Sequence, residues 1–355
     1  MSSAVTPSRD ESGQICAAKP APRLLMLDVA KLGAIFAIIW LHAPESSLLQ
    51  PTYSLGFFGV PFFTMAAVFL IVQSVRQRPD RSFGAYARGR VVRLYVPFLI
   101  WTALYILLID LKHKFITHLP VPRLEPWLLL VGSTHHLWFL PYILAASLLS
   151  FAAARAVLGR RWLENMTIVI GAAGGVSLVF IGNPGYERWT ELFGTGGFLV
   201  NRSVSATPSL LLGFGLAVLY GRIPSRIWRN GAIAVLGLLL NVVAMSLMWR
   251  RVDDDTMPHY IDIWRHLGAM GWLMVGLVSF QGPAVRYLAK LGKYVFGIYL
   301  IHVGVIEGIQ AVARRAGYTA LPWLDVLVFV AACTISTLLA VLIGSRRWGE
   351  WLVPR

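Results

Sequence analysis

Charged residues are scarce in this sequence. They make up 14% of its 355 residues, whereas hydrophobic residues make up 57%. Because a typical soluble protein has about 25% charged residues, this composition excludes an ordinary soluble protein and indicates a membrane protein with several spans. Among the charged residues, acidic ones are the rarer, with 17 Asp and Glu against 32 Lys and Arg, and the formal net charge is +15. In a membrane protein such an excess first indicates orientation and contacts with anionic lipid or phosphate.

Three further features that are scarce or missing in the sequence exclude particular classes of function. The chain has two cysteines, Cys16 in a polar tail and Cys333 in an apolar segment, so we expect no disulfide and no metal site. No basic run with interleaved aromatic residues occurs outside the apolar segments, so we expect no nucleic-acid partner. Residues 1–22 lack an apolar core and are rich in Ser, Ala and Pro, which predicts a disordered cytoplasmic tail and not a signal peptide.

Ten apolar segments are long enough to cross a bilayer. They lie near residues 25–43, 55–75, 91–111, 136–157, 165–181, 206–221, 231–249, 264–281, 294–312 and 323–344. The fifth, which contains three glycines, and the eighth are the weakest. The connections are short and no repeat is visible. The predicted fold class is therefore all-α, a polytopic membrane protein with about ten transmembrane helices.

The distribution of basic residues predicts the orientation. With the N-terminus inside, the inner segments hold 21 Lys and Arg and the outer loops hold 10. By the positive-inside rule, both termini are then cytoplasmic. We divide the chain into the tail at 1–22, a transmembrane domain at 23–345 and a short cytoplasmic tail at 346–355, and we expect a multi-pass protein of the inner or plasma membrane.

The first apolar segment, LDVAKLGAIFAIIWLH, contains Asp28, Lys31 and His42. Ionisable groups at membrane depth are costly, so they are candidates for function. Asp28 and Lys31 are three residues apart and can pair. Lys31 and His42 are eleven apart, about three helical turns, and share a face. Only His42 can carry protons near neutral pH. The alternative is that Asp28 and Lys31 reach the interface and His42 caps the far end.

Three arginines, Arg88, Arg90 and Arg93, precede or open the third span. Arg90 and Arg93 are three residues apart and are predicted to share a face. Guanidinium groups suit phosphates because they donate paired hydrogen bonds. The alternative is that the arginines set the topology and contact lipid headgroups.

Histidines also occur in the fourth and ninth spans. His135 and His136 open the fourth span and precede Trp138, a residue typical of the membrane interface. Adjacent residues face different sides of a helix, so a paired metal site is not expected, although one of the two can face a cavity. His302 and Glu307 lie in the ninth span, five residues apart and so not on one face. His302 is either a site residue or a hydrogen-bonding bridge to a neighbouring helix.

Taken together, these stretches resemble the acyltransferase 3 family of integral membrane acyltransferases. LDVAKLGAIFAIIWLH is similar to the family's Asp–x–x–Arg/Lys pattern, which ends in a first-helix histidine. GFFGVPFFTMAAVFLI, RVVRLYVPFLIW, HLWFLP and GKYVFGIYLIH follow in the family's order, and the resemblance spans residues 24–345. Two features depart from the pattern. Lys31 stands where many members have arginine, and Ala66 and Ala67 stand where a Ser-Gly pair is common.

The resemblance implies transfer of an acyl group, usually acetyl from acetyl-CoA, to a hydroxyl of a glycan or related envelope molecule. His42 is then expected to be the general base or an acylated nucleophile. Lys31, oriented by Asp28, is expected to stabilise developing negative charge or a CoA phosphate. Contacts to acyl-CoA or the acceptor are expected from Arg88, Arg90, Arg93, His136, Trp138 and His302. The expected partners are membrane lipid, acyl-CoA as co-substrate, and a glycan or lipid-linked acceptor, with no bound cofactor.

Two other classes of function remain as alternatives. A transporter or flippase of lipid-linked sugars often has repeats and broken helices, and the sequence shows no repeat. A non-catalytic membrane scaffold gives no reason for Asp28, Lys31 and His42 to share one apolar helix. We therefore favour an enzyme.

Overall fold

A computed structural model of the chain describes residues 24–114, 125–181, 186–228, 230–252, 263–318 and 321–354. Within these ranges the regular structure is helical, without a strand, which confirms the predicted all-α class. The predicted tail at 1–22, with Cys16, lies outside the described residues, so its disorder stays a prediction.

The described residues form a series of helices. In chain order they are α1 (Leu25–His42), α2 (Gly59–Gln77), α3 (Phe83–Arg90), α4 (Val96–Lys112), α5 (Leu128–Val131), α6 (Phe139–Val157), α7 (Arg161–Ile181), α8 (Tyr186–Phe193), α9 (Gly197–Tyr220), α10 (Ser225–Trp228), α11 (Gly231–Val252), α12 (Ile263–Leu277), α13 (Pro283–Leu291), α14 (Val295–Arg315) and α15 (Pro322–Gly344). A π-helical turn, Val91–Tyr95, joins α3 to α4. Two 3-10 turns, Gln50–Gly56 and Gly292–Tyr294, precede α2 and α14.

Eight helical stretches of the described chain are long and apolar enough to cross a membrane. They are Leu25–His42, Gln50–Gln77, Phe83–Lys112, Phe139–Val157, Gly197–Tyr220, Gly231–Trp249, Pro283–Arg315 and Pro322–Gly344. The two predicted spans outside this group, the fifth and the eighth, form α7 and α12, which pack along α9 and α11. The count of about ten and the cytoplasmic position of both termini stay predictions.

Helix α1 lies between the two apolar clusters of the bundle. Leu27 and Ala34 belong to the cluster built with α2 and α12, whereas Ile35 and Ile39 belong to the cluster built with α6, α14 and α15. Apolar surface alone does not hold helices together in lipid, so close packing and hydrogen bonds must do so. One such bond joins α12 to α1, where the Trp272 indole donates to the backbone of α1 over 2.8 Å.

A glycine allows the chain before α14 to approach the start of α1. A Cβ atom on Gly292 would lie 2.5 Å from the Asp28 carbonyl oxygen and 2.9 Å from the Asp28 Cβ. Only glycine fits so close to another backbone. This contact brings Lys293 beside Asp28 and Lys31, with which it lines a cavity described below.

Candidate active site

Four histidines from three parts of the chain meet at one end of α1. The His42 ring lies 4.9 Å from the His135 ring and 5.6 Å from the His302 ring, measured between centroids. The His136 ring lies 5.2 Å from the His302 ring. His42 ends α1, His302 lies in α14, and the other two lie in the turn before α6. The fold therefore brings together histidines that are up to 260 residues apart in the chain.

Tyr299 fixes two of these histidines. Its hydroxyl donates a hydrogen bond to the His136 carbonyl oxygen. Its own carbonyl oxygen lies 2.6 Å from His302 Nδ1. Because a carbonyl oxygen only accepts, His302 Nδ1 must carry a proton, and a neutral His302 then presents Nε2 as an acceptor. His302 and Tyr299 are buried at 0% and 7% exposure, so this geometry is shielded from water.

His136 lies outside the eight candidate spans and is buried. Burial lowers the pKa of His136 well below its ordinary value of 6.5, and the neighbouring histidines add smaller effects in the same direction. The imidazole of His136 is therefore neutral at pH 7. Its Nδ1 lies 3.1 Å from the Thr134 hydroxyl oxygen, which orients the ring toward the cluster.

The cluster borders a cavity of about 270 Å³, which we call the histidine cavity. Its chemically active lining consists of His42, His135, His136, Tyr53, Tyr299, Ser205, Arg202 and Arg265, and its apolar lining includes Trp138 and Phe139. A small molecule in this cavity would meet imidazoles, hydroxyls and two guanidinium groups at once. His302 stands behind the wall and contacts His42.

A buried carboxylate holds the loop that leaves His42. Asp325, 2% exposed in the first turn of α15, accepts hydrogen bonds from the backbone N–H groups of Glu45 and Ser46 at 3.1 and 3.0 Å. The Ser46 hydroxyl donates to it as well, over 2.5 Å. This loop leads into the turn that carries Tyr53 to the cavity wall. Asp325 thus fixes both the end of α1 and one side of the histidine cavity.

The other end of α1 borders a second cavity, of about 410 Å³, which we call the cationic cavity. Its charged lining is Asp28, Lys31, Arg90 and Lys293. Lys31 Nζ lies 3.1 Å from an Asp28 carboxylate oxygen, as the spacing of the two residues predicts, and both side chains are mostly enclosed. Three cations and one carboxylate give this lining a net positive charge, which favours an anionic ligand.

The three arginines of the sequence pattern have different environments. Arg90 lines the cationic cavity, and its Nε donates to the Tyr86 hydroxyl over 3.0 Å. Arg88 and Arg93 are exposed and do not line it. The π-helical turn that follows Arg90 changes the register, so Arg93 does not continue the face on which Arg90 lies.

The two cavities share a wall. Phe139 and Tyr299 line both of them. Lys31 lines one cavity and His42 the other, and at about 1.5 Å per residue the two side chains lie roughly 16 Å apart along α1. The two residues therefore line different cavities. Ala67, one of the two alanines that depart from the family pattern, lines the cationic cavity without a hydroxyl.

Several polar residues of the two cavities were not singled out in the sequence, among them a lysine, a tyrosine and two arginines. Lys293 and Tyr299 lie in GKYVFGIYLIH, where Tyr299 precedes His302 by one helical turn. That spacing is the signal that could have found it. Arg202 and Arg265 lie in or beside apolar segments, and an arginine at membrane depth is itself a signal of function. Among the described residues, no group of three His, Cys, Asp or Glu could hold a metal ion.

The described residues form an all-helical, multi-pass bundle that encloses a cluster of histidines, which is the class of an integral membrane protein. A family model described as an acyltransferase domain matches residues 25–345. The chain therefore belongs to the acyltransferase 3 family and is an acyltransferase. This decides against the transporter and scaffold alternatives. Neither a curated protein nor a solved structure matches the chain.

Proposed function

We propose that this protein is an O-acyltransferase of the inner or plasma membrane. It transfers an acyl group, acetyl in the simplest case, from acyl-CoA to a hydroxyl of a glycan or another cell-envelope molecule. The observation that carries this proposal is the position of His42, at the meeting of the histidine cluster and the histidine cavity, in a chain of the acyltransferase 3 family. An acyltransferase needs such a group to take up the proton of its acceptor.

The donor is assigned to the cationic cavity. Lys31, Arg90 and Lys293 line it, and the phosphates of CoA are the anionic part of the donor that these cations attract. The pantetheine arm of CoA is uncharged and flexible. In this proposal the arm extends from the cationic cavity past Phe139 and Tyr299, which line both cavities, and brings the thioester toward His42. Asp28 keeps the Lys31 ammonium beside the cavity through their 3.1 Å ion pair.

The acceptor is assigned to the histidine cavity. Its hydroxyl gives a proton to the His42 imidazole as its oxygen attacks the thioester carbonyl carbon. The carbon–sulfur bond breaks, CoA leaves as a thiolate, and the proton on His42 neutralises it. The products are an ester and free CoA, and the enzyme is returned unchanged. In the alternative course, His42 itself carries the acyl group between the two steps.

The test uses the purified full-length protein in proteoliposomes with acetyl-CoA labelled in the acetyl group. Release of label to water and transfer to cell-envelope extract are both measured. His42→Gln keeps a hydrogen-bonding amide but cannot take up a proton at neutral pH, so both rates should fall by about two to four orders of magnitude. His113→Gln is the matched control, since His113 follows α4 as its C-cap and lines neither cavity. A folded His42→Gln protein with near-normal turnover would overturn the assignment.

A further inference from the structure

Two arginines outside the family-like stretches line the histidine cavity. Arg202 comes from α9 and Arg265 from α12. Arg265 is 5% exposed and Arg202 is partly buried, with its guanidinium 5.1 Å from the Phe198 ring centroid. Neither arginine belongs to the cationic cavity. The proposed proton transfer at His42 does not use either of them.

The described lining of the histidine cavity carries positive charge. The described residues that line the histidine cavity include two arginines and no Asp or Glu. Guanidinium groups are costly to enclose in an apolar bundle, and a planar fork of N–H donors matches a carboxylate or a phosphate.

We propose that Arg202 and Arg265 select an acceptor that carries an anionic group, a carboxylate or a phosphate, beside the hydroxyl that is acylated. This inference rests on the proposed function, because it names the substrate class of the same site. The anionic group faces the α9–α12 side of the cavity, while the hydroxyl faces His42 on α1. Uronic acids and sugar phosphates have this arrangement of groups.

A different role for the arginines makes a different prediction. If they stabilise the oxyanion formed on the acyl carbonyl, they act on every acceptor equally. If they select the acceptor, they change the preference between charged and neutral acceptors and have a smaller effect on neutral ones. The ratio of affinities for matched probes therefore separates the two roles.

The experiment measures binding to the purified full-length protein by ligand-dependent thermal stabilisation, with CoA at saturation so that it occupies the cationic cavity. The probes are methyl glucuronide, glucose 6-phosphate and methyl glucoside. At least one anionic probe should bind about tenfold or more tightly than the neutral one, the difference expected from one charge-assisted hydrogen bond. In Arg202→Gln/Arg265→Gln this preference should fall to about twofold or less.

The matched control is Arg188→Gln/Arg315→Gln, which removes the same charge from two exposed positions that line neither cavity. It should keep the preference. If the double variant at the cavity does not fold, the two single variants are compared in the same way. Equal binding of charged and neutral probes, no binding of any probe, or a preference that survives in the cavity variants would overturn the proposal. Failure of CoA itself to stabilise the protein would count against the donor assignment instead.

Discussion

At the scale of single residues, Tyr299 connects the parts of the site. Its hydroxyl binds the His136 carbonyl, its carbonyl binds His302 Nδ1, and its side chain lines both cavities. No other residue of the described site has all three connections, and Phe139 shares only the last. Tyr299 is therefore a positioning residue that acts through the histidines.

Tyr299→Phe tests this role. The change removes the hydroxyl hydrogen bond to the buried His136 carbonyl oxygen, which then keeps only a longer bond of 3.4 Å from the Phe139 N–H, at a cost of about 0.5–1.5 kcal/mol. We expect a lower unfolding temperature and a kcat reduced about tenfold, with little change in KM for acyl-CoA, because no contact to the donor phosphates is lost. Tyr287→Phe, on an exposed tyrosine of α13, is the control. A Tyr299→Phe protein that changes only KM would contradict the positioning role.

Arg90 and Arg93 give a second comparison at this scale. Arg90 lines the cationic cavity and Arg93 is exposed. Arg90→Gln should raise KM for acyl-CoA by about tenfold, the worth of one charge-assisted hydrogen bond, while Arg93→Gln should change it less than about twofold. Steady-state kinetics with the full-length protein measure both. Equal effects of the two substitutions on KM would indicate instead that these arginines set the topology and contact lipid headgroups.

The residues that could be predicted are those with a local signal. Asp28, Lys31 and His42 are ionisable groups in an apolar run, and Arg90 belongs to a basic cluster. The roles of Arg202 and Arg265 could not be derived in this way. They depend on how α9 and α12 approach the end of α1, and one-dimensional spacing carries no information on that approach.

At the scale of helices, a substitution of Gly292 tests whether the absence of a side chain there allows the turn before α14 to lie so close to α1. Gly292→Ala puts a methyl group 2.5 Å from the Asp28 carbonyl oxygen, where backbone must move, at a cost of about 1–3 kcal/mol. Gly308→Ala in α14 is the matched control, since its methyl group meets nothing within 4 Å. Alanine in a helix is favoured over glycine by up to about 1 kcal/mol. The unfolding temperature should fall in Gly292→Ala and rise in Gly308→Ala. Equal shifts of the unfolding temperature in the two variants would contradict the packing argument.

The helices themselves were largely predictable, because long apolar runs allow little but a helix in a bilayer. The third span was incompletely predicted. The sequence places its start near residue 91, whereas the structure continues the helix back to Phe83 through a π-helical turn. An extra residue in one turn leaves no trace in an apolar pattern. The predicted common face of Arg90 and Arg93 fails for that reason.

At the scale of the whole molecule, the buried His136 makes stability depend on pH. The pKa of His136 is lowered in the folded protein, so below its ordinary value of about 6.5 the unfolded chain binds a proton that the folded chain does not. Unfolding is then favoured as pH falls, by up to about 1.4 kcal/mol per pH unit for this group. The unfolding temperature should drop between pH 7.5 and 5.5, and His136→Asn should reduce the drop. A drop of the same size in His136→Asn would contradict this origin.

The two cavities have a consequence for how members of such a family can diverge. They have only Phe139 and Tyr299 in common, and their charged linings come from different helices. Under the proposed assignment, substitutions around α9 and α12 can exchange one acceptor for another while the donor half stays intact. The bundle then works as two separately variable modules. A chimera that receives the α9–α12 segment of another member should inherit its acceptor and keep its own affinity for acyl-CoA.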